Sequence, residues 1–561
     1  MAKKAKPLVL FFLLSAVFLG MFFVFGPGVY NDSDQYIKMH IHREPLYPLF
    51  LAGLRKLVAQ EEGWLTAMGI LQNLLAAFSI CVLAEYVGRR FRLCLWQEGI
   101  VVLLGVMPYM ITMFFSSLHL FLTNSVMSEA LCLPLFTLFI VECYKMVLET
   151  ERREAGRAAV IGLALAFALS LIRSQMMLAV LMWLTVIGAR ILLEPGKKAG
   201  RRRKRQAVSL KNAGRAEEAP DRRRERQAGG KNIRKRKKRW KLRVLWLLLA
   251  AAVTVCAFAL RTLTVKSYNL AFNGHFINNT YGTVNTLTNI LYAADREDGE
   301  RIKDREAREF FYHMYDLTEE RQANYKYAGT SLREKTQHIE AWHDTVKYEM
   351  IEDVFYQYYD KNVTTDYIIQ NVMADKAAGE IMKGILPGCF WRWLGNYLLI
   401  AHYGLIRSIA VTHPVINWVA AFIYLSAFAL MWMAFRKEKE EPAVRVMAVA
   451  LLAIAANVAA VSLTIMCLSR YMIYGFVPFY VGYFLLALKT VPDFWRRYGI
   501  NFAWKGHLDR KERLVVKNGR SSKQPGVYGV PESEYQGRDG DGKRGEVFPG
   551  TGAAGEGLKE R

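Results

Sequence analysis

The sequence predicts an all-α integral membrane protein of about ten transmembrane helices with an extracytoplasmic, mainly helical domain. Three observations carry that prediction. The 561 residues are 53% hydrophobic yet bear a net charge of +25, which is compatible only with apolar and charged residues being segregated along the chain. They are segregated: residues 195–243 hold 22 Lys/Arg and 4 Asp/Glu, a net +18 that leaves +7 for everything else. Apolar stretches of roughly 17–25 residues also recur along the chain, enough to cross about 30 Å of hydrocarbon. The basic balance therefore describes one loop, and nucleic-acid binding is not expected. The seven cysteines form no CxxC pair, and Cys81, Cys132, Cys143, Cys256 and Cys467 lie inside apolar runs. That pattern argues against a disulfide framework or a zinc site.

In chain order, Lys3, Lys4 and Lys6 precede the first apolar stretch at 7–26. It is longer than a signal-peptide core and lacks a small-residue cleavage site, so it reads as a retained helix. Stretches at 64–88, 99–118, 129–147, 158–172 and 175–193 complete an N-terminal module, 1–194, that includes the first outer loop. The basic segment 195–243 reads as an unfolded cytoplasmic loop held near anionic lipid headgroups by its charge. A span at 244–264 leads into 265–413, of which 265–392 has 15 Lys/Arg against 20 Asp/Glu and reads as a helical outer domain. The run 390–410 opens with tryptophans and is broken by Arg392, His402 and Arg407, which predicts a separate helix lying in the interface. Spans at 414–435, 443–466 and 472–490 follow, then a tail, 491–561. That tail is expected to be mostly disordered, because 506–561 contains 12 glycines and few apolar residues. Arg89, Arg90, Arg92, Arg152, Arg153, Arg157, Arg436 and Lys437 all fall on the side of the N-terminal lysines. Both termini are therefore expected in the cytoplasm, in a multi-pass protein of the cell membrane.

Ionisable residues at span boundaries carry the chemical information, because charge near hydrocarbon is costly and usually faces a protein cavity. Four groups open on the outer side. Asn31-Asp32-Ser33-Asp34-Gln35-Tyr36 follows the first span, and Arg43-Glu44-Pro45-Leu46-Tyr47-Pro48 comes next. Ser128-Glu129 opens the fourth span, while Arg173 and Ser469-Arg470-Tyr471 sit at outer ends, where arginine is disfavoured. Turn chemistry and helix capping account for the first three groups taken singly. Together they supply both halves of a displacement: a loop carboxylate to take a proton, and guanidinium groups to hold a phosphate leaving group. No GxxxxGK[ST] phosphate loop occurs, and GxGxxG spacings arise only within the glycine-rich tail, at 540–545 and 550–555, so a phosphate-bearing donor on the outer face is expected to be lipid-linked. His40 and His42 form an HxH pair, a weak metal signal without further ligands.

The D-x-x-x-Y spacing of Asp32 and Tyr36, REPLYPLFLAGL at 43–54, LQNLLAAFSICVLAEYVGRRF at 71–91, MSEALCLPLFTLFIVE at 127–142, AGRAAVIGLALAFALSLIRSQ at 155–175 and SRYMIYGFVPFYVGYFLLA at 469–487 follow one another in a telling order. That order resembles the multi-spanning C-type glycosyltransferases, relatives of the protein mannosyltransferases and of the aminoarabinose transferase of lipid A. The resemblance covers 7–193 and, less fully, 443–490. It implies inverting transfer from a polyprenyl-phosphate sugar to an extracytoplasmic acceptor, with Asp32 as catalytic base and Asp34 as its fallback. By position, Arg43 and Tyr47 match the segment beside the donor, Glu129 the acidic residue opening span four, Arg173 the arginine after span five, and Arg470 with Tyr471 the late RY pair. No cofactor is required by the resemblance; a divalent metal on Glu129 with His40 or His42 is allowed by it. The family often places its soluble domain after the last span, whereas 265–392 here lies between spans. The competing readings are a transporter or polymerase of lipid-linked polysaccharide, and a membrane sensor whose outer domain binds a ligand. The first requires charge at mid-membrane depth or broken helices in paired halves, and the second leaves Asp32 and Asp34 replaceable.

Overall fold

Eight helices among the described residues are long and apolar enough to cross a membrane: Ala5–Phe25, Glu62–Phe91, Glu129–Leu148, Ser174–Leu193, Trp240–Asn273, Asn417–Lys437, Pro442–Thr464 and Ser469–Pro492. They belong to a computed structural model that describes residues 2–30, 32–58, 60–114, 121–193, 222–410, 414–437 and 441–497. All of these fall in one compact unit. The architecture is all-α, and among the described residues the one trace of β-pairing is an isolated bridge between Gly28 and Ser125. Eight of the ten expected stretches meet that length and apolarity among the described residues. The stretches at 99–118 and 158–172 do form helices, Leu95–Phe114 and Arg152–Ser170. However, the first contributes only the shorter apolar segment Leu95–Met110, and the second opens on Arg152, Arg153, Glu154 and Arg157. At 20 and 19 residues rising 1.5 Å each, both are still long enough to run the roughly 30 Å from one end of the bundle to the other.

The helix Glu129–Leu148 is the axis of the bundle, buried along most of its length. Its C-terminal carbonyls are capped by three arginines from elsewhere in the chain. Arg90 Nη2 donates to Leu148 O at 3.1 Å, Arg190 Nη1 to Glu149 O at 2.9 Å, and Arg445 Nη1 to Val147 O at 3.1 Å. Cations there satisfy orphan acceptors and complement the negative end of the helix dipole. The Lys6–Glu98 pair links the first helix to Leu95–Phe114. With 20 residues rising 1.5 Å each, this helix separates its two ends by roughly 30 Å.

The segment 265–392 builds a second core around Leu287, Leu291, Phe310, Phe311, Met314, Met350, Phe355 and Ile385. Its helices begin where the sequence supplies caps. Asp304 accepts from Ala307 N, Ser331 and Glu334 form a reciprocal capping box, and Asp366 accepts from Ile368 N and Ile369 N. The helix Leu332–Thr345 continues through a seven-residue π-helical turn, Val346–Glu352, into Asp353–Asn362.

Three expectations are corrected or bounded here. The run 390–410 is not a separate interfacial helix but the C-terminal half of a single 41-residue helix, Tyr367–Arg407. Its first half packs in the domain core through Ile381 and Ile385 and its second half in the bundle core through Leu399, Ile400 and Ile406. Pro387 is accommodated inside it. A close crossing fixes its course: a Cβ on Gly384 would lie 2.9 Å from Ile302 Cα and 3.1 Å from Ile302 N, backbone atoms that cannot give way. The basic loop is not wholly unfolded either, since helix Arg222–Asn273 starts inside it. Its Arg, Lys and Gln are good helix formers extending an apolar span already nucleated. Residues 195–221 and the tail from 498 lie outside the described residues.

Candidate active site

The site begins with a polar pair inside a span. Gln72 and Asn73, on helix Glu61–Phe91, are fully buried, which would be costly without partners. Gln72 Nε2 donates to Thr123 O at 3.0 Å and Ser125 O at 3.1 Å, and Asn73 Nδ2 to Asn124 Oδ1 at 3.1 Å. These bonds fix the irregular stretch 121–128 at the end of the bundle opposite the three capping arginines. That stretch holds the first loop in turn, with Val126 N donating to Gly28 O at 2.8 Å and Ser33 Oγ to Val126 O at 2.9 Å. Asp32 is thereby carried to the N-terminus of the axial helix, beside Ser128 and Glu129.

There three guanidinium groups from distant parts of the chain meet two carboxylates. Arg43 Nη2 contacts Asp32 Oδ1 at 2.9 Å, and Arg470 Nη1 approaches Asp32 Oδ2 at 3.5 Å. Arg173 pairs with Glu129, and its Nη1 also donates to Ser128 Oγ at 3.3 Å. Two tyrosines complete the network. Arg43 Nη1 donates to the Tyr36 hydroxyl at 3.2 Å, which shares a hydrogen bond with Ser128 Oγ at 3.0 Å. Arg173 and Arg470 both lie over the Tyr471 ring, 5.1 and 4.8 Å from its centroid. With three cations against two anions the cluster carries a formal +1, suited to a further anion. Next to it, Glu44 pairs with Arg261 of the span Trp240–Asn273, pinning the loop to that helix.

The structure thus brings Asp32, Arg43, Glu129, Arg173, Arg470 and Tyr471 into one network. Two candidates stand apart. Asp34 points away from the cluster, its side chain 61% exposed and paired with Lys38 at 2.8 Å, because it lies two residues along a short helix, Ser33–Ile37. Tyr47 has no exposed surface; it packs edge-on to Tyr36 at 5.1 Å and donates to Gln72 Oε1 at 3.0 Å. It supports the floor of the site and cannot touch a substrate.

His42 and Glu129 are already engaged and do not fit a metal. His42 Nδ1 is hydrogen-bonded to Thr280 Oγ1 at 2.9 Å and Nε2 to the Tyr367 hydroxyl at 3.1 Å, and Glu129 is engaged by Arg173 and Ser128. Among the described residues no group of three or more His, Cys, Asp and Glu is placed to hold an ion. Burial, with the nearby charges of His40, Arg43 and Lys347, pushes the His42 imidazole down to about 2. Below pH 6.5 the unfolded chain therefore takes up a proton that the folded chain refuses, so stability is lost as pH falls. Wild type should lose stability relative to His42→Gln by at most about 1.4 kcal/mol per pH unit below 6.5. Denaturant unfolding of both proteins across pH 4.5–8 checks this, and parallel curves would contradict it.

The domain at 265–392 reaches the same place with residues outside the span boundaries. Lys347, 4% exposed, lies in the π-helical turn with its Nζ 4.2 Å from the Tyr281 ring centroid and 4.3 Å from that of Tyr348. Burial lowers its ammonium to about 8, Arg43 adding to the effect and Asp32 and Glu352 opposing it. Burial likewise raises Glu352 to about 7. Tyr281 is held at φ +87°, a costly backbone for a bulky residue, with its N–H donating to Asp375 Oδ2 at 3.0 Å. No local signal in the sequence marks Lys347 and Glu352, whereas the Gln72-Asn73 pair in an apolar span was a signal for the floor of the site.

Compared with family models, with curated proteins and with solved structures, the chain matches none.

Proposed function

We propose that the protein is a membrane glycosyltransferase that moves a sugar from a polyprenyl-phosphate donor to an acceptor on the outer face of a cell membrane. One observation carries the proposal: Arg43, Arg173 and Arg470 converge on Asp32 and Glu129 at the end of an apolar helix bundle, beneath a polar domain. A substrate for such a place has an anionic head and an apolar tail. Guanidinium forks recognise phosphate oxygens through paired hydrogen bonds. The tail would lie along the bundle and enter laterally.

In the proposed reaction the acceptor hydroxyl loses its proton to the Asp32 carboxylate as its oxygen attacks the anomeric carbon. The bond from that carbon to the phosphate oxygen breaks, with inversion, and its electron pair leaves on the polyprenyl phosphate. Arg470 and Arg43, already in contact with Asp32, are placed to take up that developing charge. Glu129 fixes the Arg173 fork, and no resident metal is invoked. With the outer domain extracytoplasmic, the capping arginines and both ends of the chain face the cytoplasm, in keeping with the charge asymmetry.

The donor-binding half is tested by titrating polyprenyl phosphate against the full chain in lipid nanodiscs. Arg470→Ala and Arg43→Ala should each weaken binding by about 10- to 100-fold, the loss expected for one charge-assisted contact. Unchanged affinity in both variants would remove the phosphate from this site.

A further inference from the structure

Rings of the first loop and of the 265–392 domain together form a continuous wall beside the ion cluster. His40 and His42 stand 4.6 Å apart, His42 and Tyr281 4.5 Å, and His40 and Tyr367 5.3 Å. Lys347 bridges from Tyr281 to Tyr348 through its contacts with both faces. The wall is open at its edges, since Tyr348 is 47% and Tyr367 43% exposed. It also holds polar atoms without partners. Glu352 is 8% exposed and its Oε1 has no hydrogen-bond partner, nor does the buried Nδ1 of His40. Buried polar atoms of this kind are costly unless something supplies the missing bond.

We propose that this wall is the acceptor subsite and that the acceptor it takes is a carbohydrate. Aromatic faces carry negative charge density that attracts the polarised C–H edges of a sugar ring, while hydroxyls both donate and accept and so satisfy Glu352 Oε1 and His40 Nδ1 alike. Lys347 and Glu352 offset one another in charge, which gives the wall no preference for an anionic chain. A ligand surface of mainly aromatic lining with a few fixed polar groups fits a bound small molecule better than an extended peptide. The wall adjoins Asp32, so a sugar on it would present a hydroxyl to the carboxylate. This inference rests on the transferase reading for its meaning, but its binding test does not.

The test is saturation-transfer NMR on the full chain in phosphatidylcholine nanodiscs, with a panel of glucan, mannan and N-acetylglucosamine tetrasaccharides and a serine/threonine-containing tetrapeptide. Irradiation of the protein aromatics should transfer saturation to at least one tetrasaccharide and not to the peptide. Tyr348→Ala and Tyr367→Ala, both at the exposed edge and outside either core, should each reduce that transfer at least five-fold. Glu352→Gln should reduce it, while Arg305→Ala, in an exposed pair with Glu309 away from the wall, should leave it unchanged. Transfer to the peptide alone, transfer to no saccharide, or transfer indifferent to both tyrosines would overturn the proposal. Retained saccharide contact in a protein that fails to bind polyprenyl phosphate would instead sink the transferase reading and leave the carbohydrate subsite standing.

Discussion

Replacing Arg173 by alanine is expected to cost about 3–5 kcal/mol of stability, the range for removing one partner of a buried pair. The side chains of Arg173 and Glu129 are 14% and 2% exposed. Without the guanidinium, Glu129 would remain in the bundle with Ser128 as its hydrogen-bond donor and Arg470 as its nearest cation. Arg173→Lys should recover only part of the loss, because an ammonium cannot reach Glu129 and Ser128 together as a fork does. The double variant Arg173→Met/Glu129→Gln should be more stable than Arg173→Ala alone, since it leaves no unpaired charge behind. Unfolding in mixed detergent micelles measures all three proteins. A loss below about 1 kcal/mol for Arg173→Ala would place the pair among exposed ion pairs of little weight.

The second large effect is catalytic. Asp32→Asn keeps the size of the side chain and its hydrogen-bonding reach but cannot hold the acceptor proton, and turnover should fall about 10²- to 10⁴-fold, the usual contribution of a positioned base. Donor affinity should not fall with it. Asp32 competes for Arg43 and Arg470, so removing its charge frees those forks for phosphate, and polyprenyl phosphate should bind at least as tightly. A loss of binding equal to the loss of turnover would assign Asp32 a structural role. This separation is informative because Arg470→Ala should do the reverse first, weakening the donor before the chemical step.

Much of this arrangement was legible in the sequence because it rests on local signals. Apolar length marks the spans at 7–26, 129–147 and 443–466, and charge placement marks the bundle end at which Arg90, Arg190 and Arg445 gather. Residues set directly beside a span, Asp32, Glu129, Arg173 and Arg470, were legible as a group for the same reason. What was not legible depends on three-dimensional closure. The direction of Asp34 follows from two further residues of helix, about 200° of rotation, which the Asp-x-Asp spacing alone cannot turn into inside and outside. Tyr47 reads as a site residue by its neighbours, yet its hydroxyl is spent on Gln72. The continuity of Tyr367–Arg407 was hidden by Pro387 and the charged residues after it, whose solvation is supplied by tertiary partners such as Asp295 and Asp298 for Arg392 and Glu340 for Arg407. Lys347 and Glu352 lie in a long acidic segment without apolar contrast, so nothing local separates them from solvated charge.

The most direct test of the central claim is release of polyprenyl phosphate. Membranes containing the full chain would receive a set of polyprenyl-phosphate sugars together with cell-surface glycans, and liberated lipid phosphate would be measured for wild type, Asp32→Asn and Asp34→Asn at matched expression. The account predicts release by wild type and by Asp34→Asn at similar rates, with release by Asp32→Asn lower by about 100-fold or more. Full-rate release by Asp32→Asn, or equal loss in the two variants, would contradict it.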